Sequence, residues 1–325
     1  MNGKKFLIFI LIFVILLLST FGCFDSKTNL QDFPNKPIQL IVSYSPGAAT
    51  DTQARIIAKY AKKYLGQELV IVNKPGGGGS VGWNYFSSVA PDGYILTAYN
   101  LPHIITQPLV GQTAYNLDTF DPIINWGQDP TVFAVTKDSP IKDLHDLIQK
   151  AKQVPGKLTV GTAGKFVGQH MAILQLEKAA NIDVKDIPYK GSADSIASLL
   201  GKHTDFISGN LSDMYRLEDQ VRILAIATKE RHPLVPNTPT FAELGYPEVV
   251  MSTDRGIAAK KGTPKEIIDK LEKGFMQIMK DSRFLEDMKK AGADMLILNR
   301  EQVKKEFEKR KVLYEQLIKS VNVNQ

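Results

Sequence analysis

The stretch "IQLIVSYSPGAATDTQARIIAKYAKKYLGQELVIVNKPGGGGSVG", Ile38 to Gly82, decides the fold. Ile38–Ser43 is a short apolar run that reads as a strand, and a loop of small residues, "YSPGAATD", follows it. Ala54, Ile57, Ala58, Ala61 and Leu65 then recur at helical spacing, which predicts an amphipathic helix through about Tyr64, stopped by Gly66. "LVIV", Leu69–Val72, is the next strand, and the glycine corner opens a second helix running to about Ala90. After a "PDG" turn, Tyr94–Tyr99 is a third strand. Strand and helix alternate at βαβ spacing, which implies an α/β fold with a parallel sheet.

A less regular stretch spans Asn100 to Asp129, and Thr131–Thr136 reads as a strand leaving it. The alternation then restarts with "IKDLHDLIQKAK", "KLTVGT", "QHMAILQLEKAA", "SADSIASLLG", "TDFISGN" and "VRILAIAT". Beyond Gly262 the pattern is mostly helical, and Thr263-Pro264 with Glu266 marks a helix start. The chain is thus two α/β units in series. Each contains a strand, a small-residue loop and a helix: "IVSYSPGAATD" in the first, "LTVGTAGKFVGQH" in the second. Ligands of open parallel sheets sit beyond the carboxyl ends of strands. Free N–H groups and the dipole at a helix start favour an anion there. Two such loops facing across a cleft would clamp a small acidic ligand.

The N-terminus sets the compartment. Lys4 and Lys5 precede the uncharged run Phe6–Leu18, too short for a comfortable membrane span but right for a signal-peptide core. Cys23, the only cysteine, follows "STFG" and leaves no possibility of a disulfide within the chain. Its placement resembles a bacterial lipobox, with Gly22 fitting the position before the cut, Thr20 where leucine is usual, and Phe21 bulky for its place. Two processing schemes stay open: a lipoprotein signal over residues 1–22 with Cys23 lipidated, or a plain signal or anchor. Both export the rest of the chain. The formal charge of +6 becomes +4 once Lys4 and Lys5 are subtracted. Basic and acidic residues are interleaved, and the sequence lacks the aromatic-studded basic stripe of a nucleic-acid binder.

Gly77, Gly79 and Gly82 satisfy G-x-G-x-x-G, the dinucleotide fingerprint. That reading needs an acid at the end of the following strand to hold a ribose, and this strand ends in Asn100-Leu101. Asp92 belongs to the turn before it. The five histidines, His103, His145, His170, His203 and His232, lack metal-ligand spacing and no H-E-x-x-H pair occurs. No cofactor and no metal are expected, and the case for an enzyme is poor.

The order "KPIQLIVSYSPGAATD", "NKPGGGGSVG", "APDGYIL", "GTAGKFVGQHM", "IPYKGSADSIASLLGKHTDFISGN", "RILAIATKERHPLVPNTPTFAELGY" and "DRGIAAKKGTPKEI" resembles the Bug or TctC family, from about Asp32 to the C-terminus. These are extracytoplasmic solute-binding proteins of tripartite tricarboxylate transporters. The resemblance implies a two-lobed type II periplasmic-binding-protein fold with the ligand cleft between the lobes. Domain 1 would be discontinuous, residues 32–136 plus 255–325, with residues 137–254 as domain 2. The function implied is capture of a small organic carboxylate by a lipid-anchored, monomeric receptor that closes its lobes and delivers the ligand to membrane permease subunits. Two alternatives stay open: a sensor subunit for a signalling partner, and an exported enzyme on the same scaffold. The glycine corner would shape a turn near the cleft.

The same resemblance suggests site residues. In domain 1 the loop after the first strand matches at Tyr44, Ser45, Gly47, Ala48 and Asp51, with Ala48 and Ala49 where the family usually has glycine. Asp51 either braces the loop by accepting backbone N–H groups or meets a ligand ammonium or water. In domain 2 the matching loop is Thr162, Ala163, Gly164 and Lys165. Val167 removes an expected hydroxyl there, which Lys165 or Gln169 would replace; Lys165 is otherwise a solvated loop lysine. Many family members carry an aromatic where this chain has Arg255. A guanidinium there either grips a carboxylate or forms an ion pair with Asp254 or another acid. If Arg255 and Lys165 both face the cleft, a di- or tricarboxylate is favoured. Asn100, Tyr189 and Asn210, at strand ends, complete the set.

Overall fold

The computed structural model describes residues 32–111 and 113–320, so the leader and the lipidation expected at Cys23 lie outside the described residues. The first part of the chain runs β1 (Ile38–Val42), α1 (Ala49–Leu65), β2 (Leu69–Asn73), a 3-10 turn at Gly77–Gly79, α2 (Ser80–Ser87), β3 (Ile95–Leu101), α3 (His103–Val110) and β4 (Phe120–Gln128). The middle part runs β5 (Thr131–Thr136), α4 (Leu144–Gln153), β6 (Thr159–Thr162), α5 (Gly168–Ala180), β7 (Lys185–Pro188), α6 (Ser192–Leu200), β8 (Phe206–Asn210), α7 (Leu211–Tyr215) and β9 (Val221–Ile226). It closes with β10 (Asp254–Lys260), α8 (Lys265–Ile278), α9 (Ser282–Lys290), β11 (Asp294–Asn299) and α10 (Arg300–Ser320).

These strands form two sheets, ordered β11-β4-β10-β3-β1-β2 and β7-β6-β8-β5-β9. The expected α1 face is nearly as read: Ala54, Ile57, Ala61 and Leu65 are buried with Ile56, while Ala58 is half-buried. Gly66 ends the helix in the left-handed region, its N–H returning to Lys62 O at 3.2 Å. Ile38, Leu40, Ile41 and Val42 sit beneath it in the core. The second sheet carries its own cluster, including Val132, Ala134, Ile207, Leu211, Met214 and Ile226.

The sheets are mixed rather than parallel throughout. β1 pairs parallel with β2 and β3, and β6 with β7 and β8. β10 runs antiparallel between β3 and β4, and β5 antiparallel between β8 and β9. The reason is connectivity: the chain re-enters the first sheet from the second, so β10 arrives in the opposite sense. β10 and β11 lie where no strand was expected. β10 is poor in β-branched residues, and Gly256 is required because a Cβ there would sit 2.1 Å from the Tyr99 ring. The irregular stretch holds α3 and β4, both unexpected. Pro122 interrupts the strand signal in β4, and the ladder to β10 absorbs it with a register shift between Ile257 and Ala258. α2 ends at Ser87, short of Ala90, because Ser87 and Ser88 hydroxyls bond back to Asn84 O and Tyr85 O.

The chain crosses between the sheets twice, and the crossings lie side by side. Thr131 N–H donates to Met251 O at 2.9 Å, and Thr253 N–H to Asp129 O at 2.8 Å.

Candidate ligand site between the two sheets

Both small-residue loops stand at carboxyl ends of parallel strands, and the second meets the glycine corner that follows β2. Gly164 lies so close to the glycine corner that a Cβ on it would fall 2.4 Å from Gly78 Cα. A Cβ on Gly78 would fall 2.6 Å from Gln107 Nε2 and 2.8 Å from Val167 Cγ1. All four glycines from Gly76 to Gly79 have positive φ, so the corner is a backbone surface shaped for this approach. Gln107 pins it: Nε2 donates to Gly77 O (2.9 Å), Gly78 O (3.2 Å) and Lys165 O (3.2 Å), and Oε1 accepts from Tyr115 Oη (2.7 Å). Thr106 Oγ1 donates to Phe166 O at 2.5 Å. Sequence reading missed Thr106 and Gln107 because α3 itself was missed. A cavity of about 620 Å3 opens beside the contact, lined by Gly77, Gly78, Gly164, Lys165, Tyr189 and Asp194 among others. Another, about 540 Å3, lies behind the crossings against α10 and takes no residue from either loop.

The corner is not a catalytic elbow either. Gly78–Gly82 also fits G-x-S-x-G, but β2 ends at Asn73, well before Ser80. No histidine or carboxylate hydrogen-bonds Ser80 among the described residues.

In the first loop Tyr44 is buried edge-on to Trp83 and His103, and its hydroxyl donates to Gly78 O at 3.2 Å. Burial pushes that phenol well above its usual range. Asp51 accepts from Gly47 N (2.9 Å), Arg55 Nε (3.0 Å) and Asn73 Nδ2 (2.8 Å). Burial raises its pKa, but those donors outweigh burial and hold it below the usual carboxylate range. Ser45 Oγ reaches across to Asp194 Oδ2 of α6 at 3.0 Å, and Ala48 is buried.

In the second loop Asp186 of β7 is the organiser. It accepts from Thr162 Oγ1 at 2.8 Å and pairs with Lys165 Nζ at 2.9 Å, while His170 Nε2 stands 3.7 Å away. His170 Nδ1 accepts the Phe166 N–H at 3.1 Å, capping a residue with φ of 55°. Burial draws the His170 pKa down to about 4, with Asp186 opposing and Lys165 adding to the fall. Ala163 is buried behind it; Tyr189 hydroxyl pairs with Ser198.

Arg255, 1% exposed, lies at the start of β10, where the second crossing enters the first sheet. Nη1 meets Asp129 Oδ2 at 2.7 Å and Nε donates to Thr50 Oγ1 at 3.1 Å. Asn100, its register partner on β3, donates to the same Thr50 oxygen at 3.2 Å. Burial raises the Asp129 pKa, opposed by Arg255 and by Ser212, which donates its N–H and hydroxyl. Burial, then the Arg255 charge, draws His103 down to about 3. Gln169 and Asn210 meet nearby, Nε2 to Oδ1 at 2.6 Å. Both basic residues expected at the site, Arg255 and Lys165, thus already carry an acid partner.

Residues 53–323 match the TctC family, Tripartite tricarboxylate transporter family receptor. The chain belongs to the TctC family. It is 32% identical over 281 residues to the UPF0065 protein in the gbd 5' region of Cupriavidus necator, covering 85% of each chain. Among solved structures it is similar to the periplasmic binding protein BugD (TM-score 0.84, 29% identity, 90% of this chain and 99% of that one). It is similar also to MatC from Rhodopseudomonas palustris with bound malate (0.82, 26%, 88% and 100%) and to an R. palustris protein with adipate (0.83, 26%, 89% and 98%). The protein is a two-lobed solute-binding receptor of the TctC family, whose cleft lies between the lobes.

Proposed function

We propose that this TctC receptor captures a small organic carboxylate outside the cytoplasmic membrane and hands it to the membrane subunits of a tripartite transporter. The observations that carry the reading are the close approach of two helix-start segments, the glycine corner of the first sheet and the Gly164 loop of the second, and a buried arginine whose guanidinium is only partly spent. Such a site holds an anion through backbone N–H groups and a fixed donor fork. The malate and adipate bound by two related receptors support the same ligand class. The ligand set is Tyr44, Ser45, Gly47, Ala48, Asp51, Asn100, Thr162, Ala163, Gly164, Lys165, Gln169, Tyr189, Asn210 and Arg255, several of them bracing the loops. Domain 1, expected as residues 32–136 plus 255–325, ends instead near residue 130, because β5, Thr131–Thr136, is a strand of the second sheet and goes with domain 2; the side-by-side crossings then act as the hinge. The work is differential affinity for the closed state, with no bond made or broken. The receptor is monomeric and tethered through lipid on Cys23, so that it meets its permease at the membrane face.

A thermal-shift screen of the chain from Asp25 against organic acids and amino acids tests this. A ligand that binds only the folded state raises the melting temperature by about RT ln(1 + [L]/Kd) in free energy. A large shift with one class of acid is expected. Shifts with sugars, cations or nucleotides, and none with any acid, would sink the carboxylate reading.

A further inference from the structure

We infer that the solute carries a hydrogen-bond donor, a hydroxyl or an ammonium group, close to its carboxylate, and that Arg255 and Gln169 read the two features from opposite lobes. This rests on the carboxylate reading above and narrows it.

The donor side is Arg255. A guanidinium has donors only and no acceptor. Nε is spent on Thr50 and Nη1 on Asp129, while Nη2 is buried with no hydrogen-bond partner. A buried N–H left unmatched carries its full desolvation cost, so this edge asks for an acceptor, and a carboxylate oxygen is the strongest on offer.

The acceptor side is set by a relay in the other lobe. Asp213 pairs with Arg216 through Oδ1, and a carboxylate only accepts. Asn210 therefore turns Nδ2 towards Asp213 Oδ2 at 3.4 Å and keeps Oδ1 for Gln169. Gln169 has to present Nε2 to that oxygen, which leaves Oε1 buried and without a partner. Only a donor satisfies it. The relay thus fixes which end of the Gln169 amide is free.

Both free atoms belong to one buried cluster. Ser212, just beyond Asn210, donates to the same Asp129 that holds Arg255. A Cβ on Gly168, next to Gln169, would lie 3.1 Å from Thr253 Oγ1 and 3.4 Å from Pro102 Cδ, at the ends of the strands bearing Arg255 and Asn100. Arg255 and Arg216 are each balanced by an aspartate, so the choice turns on hydrogen bonds rather than on net charge. A plain acid fills the Arg255 edge and leaves Gln169 bare. Its hydroxy or amino counterpart fills both.

The test compares matched acids on the unaltered protein by calorimetry: succinate, malate and aspartate; glutarate, 2-hydroxyglutarate and glutamate; propionate, lactate and alanine. In the series that binds, the hydroxy or amino member should exceed the plain acid by about tenfold or more, since a site built for a donor penalises its absence. The two substituted members then say whether hydroxyl or ammonium is the natural feature. Gln169→Met should erase that preference, so that the plain and the substituted acid of each series bind alike. Arg255→Lys, which keeps the charge beside Asp129, should weaken every member alike. Equal affinity within each series, or an undiminished preference in Gln169→Met, would overturn the inference and leave the carboxylate reading standing. No binding by any acid would remove both.

Discussion

The two cleft loops begin from the same plan, a strand followed by small residues and a helix, yet they are held in different ways. The first is braced from within. Asp51 lies in the first turn of the helix the loop enters and collects Gly47, Arg55 and Asn73, all from its own βαβ unit. The second is braced from the far strand of its unit rather than from the helix its loop enters. Asp186 arrives from the next strand to gather Thr162 and Lys165, and neutral His170 caps Phe166. One loop depends on a carboxylate held charged, the other also on an imidazole held uncharged. The lesson is that similar backbones can carry different sensitivities to acid.

The widest separation should appear on acidification. With the His170 pKa lowered from 6.5 to about 4, the unfolded state takes up a proton first, so stability falls as pH drops from 6.5 towards 4. The arithmetic gives about 3 kcal/mol, from roughly 1.4 kcal/mol per pH unit. His170→Gln keeps an acceptor for Phe166 and should lose correspondingly less over that range in urea titrations. Equal losses in both proteins would mean the capping histidine does not set this response. Asp51 works lower down. Its depressed pKa gives stability that is present above pH 3.8 and fades as pH falls further. Asp51→Ala should cost about 2 kcal/mol at neutral pH, by stranding the Gly47 N–H and Asn73 amide, and should flatten the decline below pH 4. A cost under about 0.5 kcal/mol would show that the loop braces itself by other means. Where the second loop touches the glycine corner, Gly164→Ala has no room against Gly78 and should reduce solute affinity about tenfold, roughly 1.4 kcal/mol, with a smaller change in melting temperature. Unchanged affinity would mean the contact is incidental to binding. Lys165→Met should alter stability by less than about 1 kcal/mol, because the lysine side chain is 51% exposed and its pair with Asp186 is screened.

What was legible in the sequence was local. β1, α1 and the stop at Gly66 follow from periodicity and a left-handed glycine, and Asp51 stands where a helix start would put a brace. Asp186 and Asp129 were not legible. Their partners are Lys165 and His170 in one case, Arg255 and Ser212 in the other, joined only by the finished topology. β10 was hidden for a related reason. Its Gly-Ile-Ala-Ala core suits a strand flanked closely on both sides, and local propensity does not favour it. α3 was hidden by Pro108, which reads as a break, and with it went Gln107.

The central place of β10 bears on how the molecule comes into being. The strand fills the gap between β3 and β4, which are made long before it. A chain emerging N-terminus first can assemble the whole of the second sheet while the first still has an open slot. Sealing that slot means bringing together partners far apart in the chain, the kind of step that makes folding slow. The first sheet therefore stays unfinished until β10, in the last quarter of the chain, has been made.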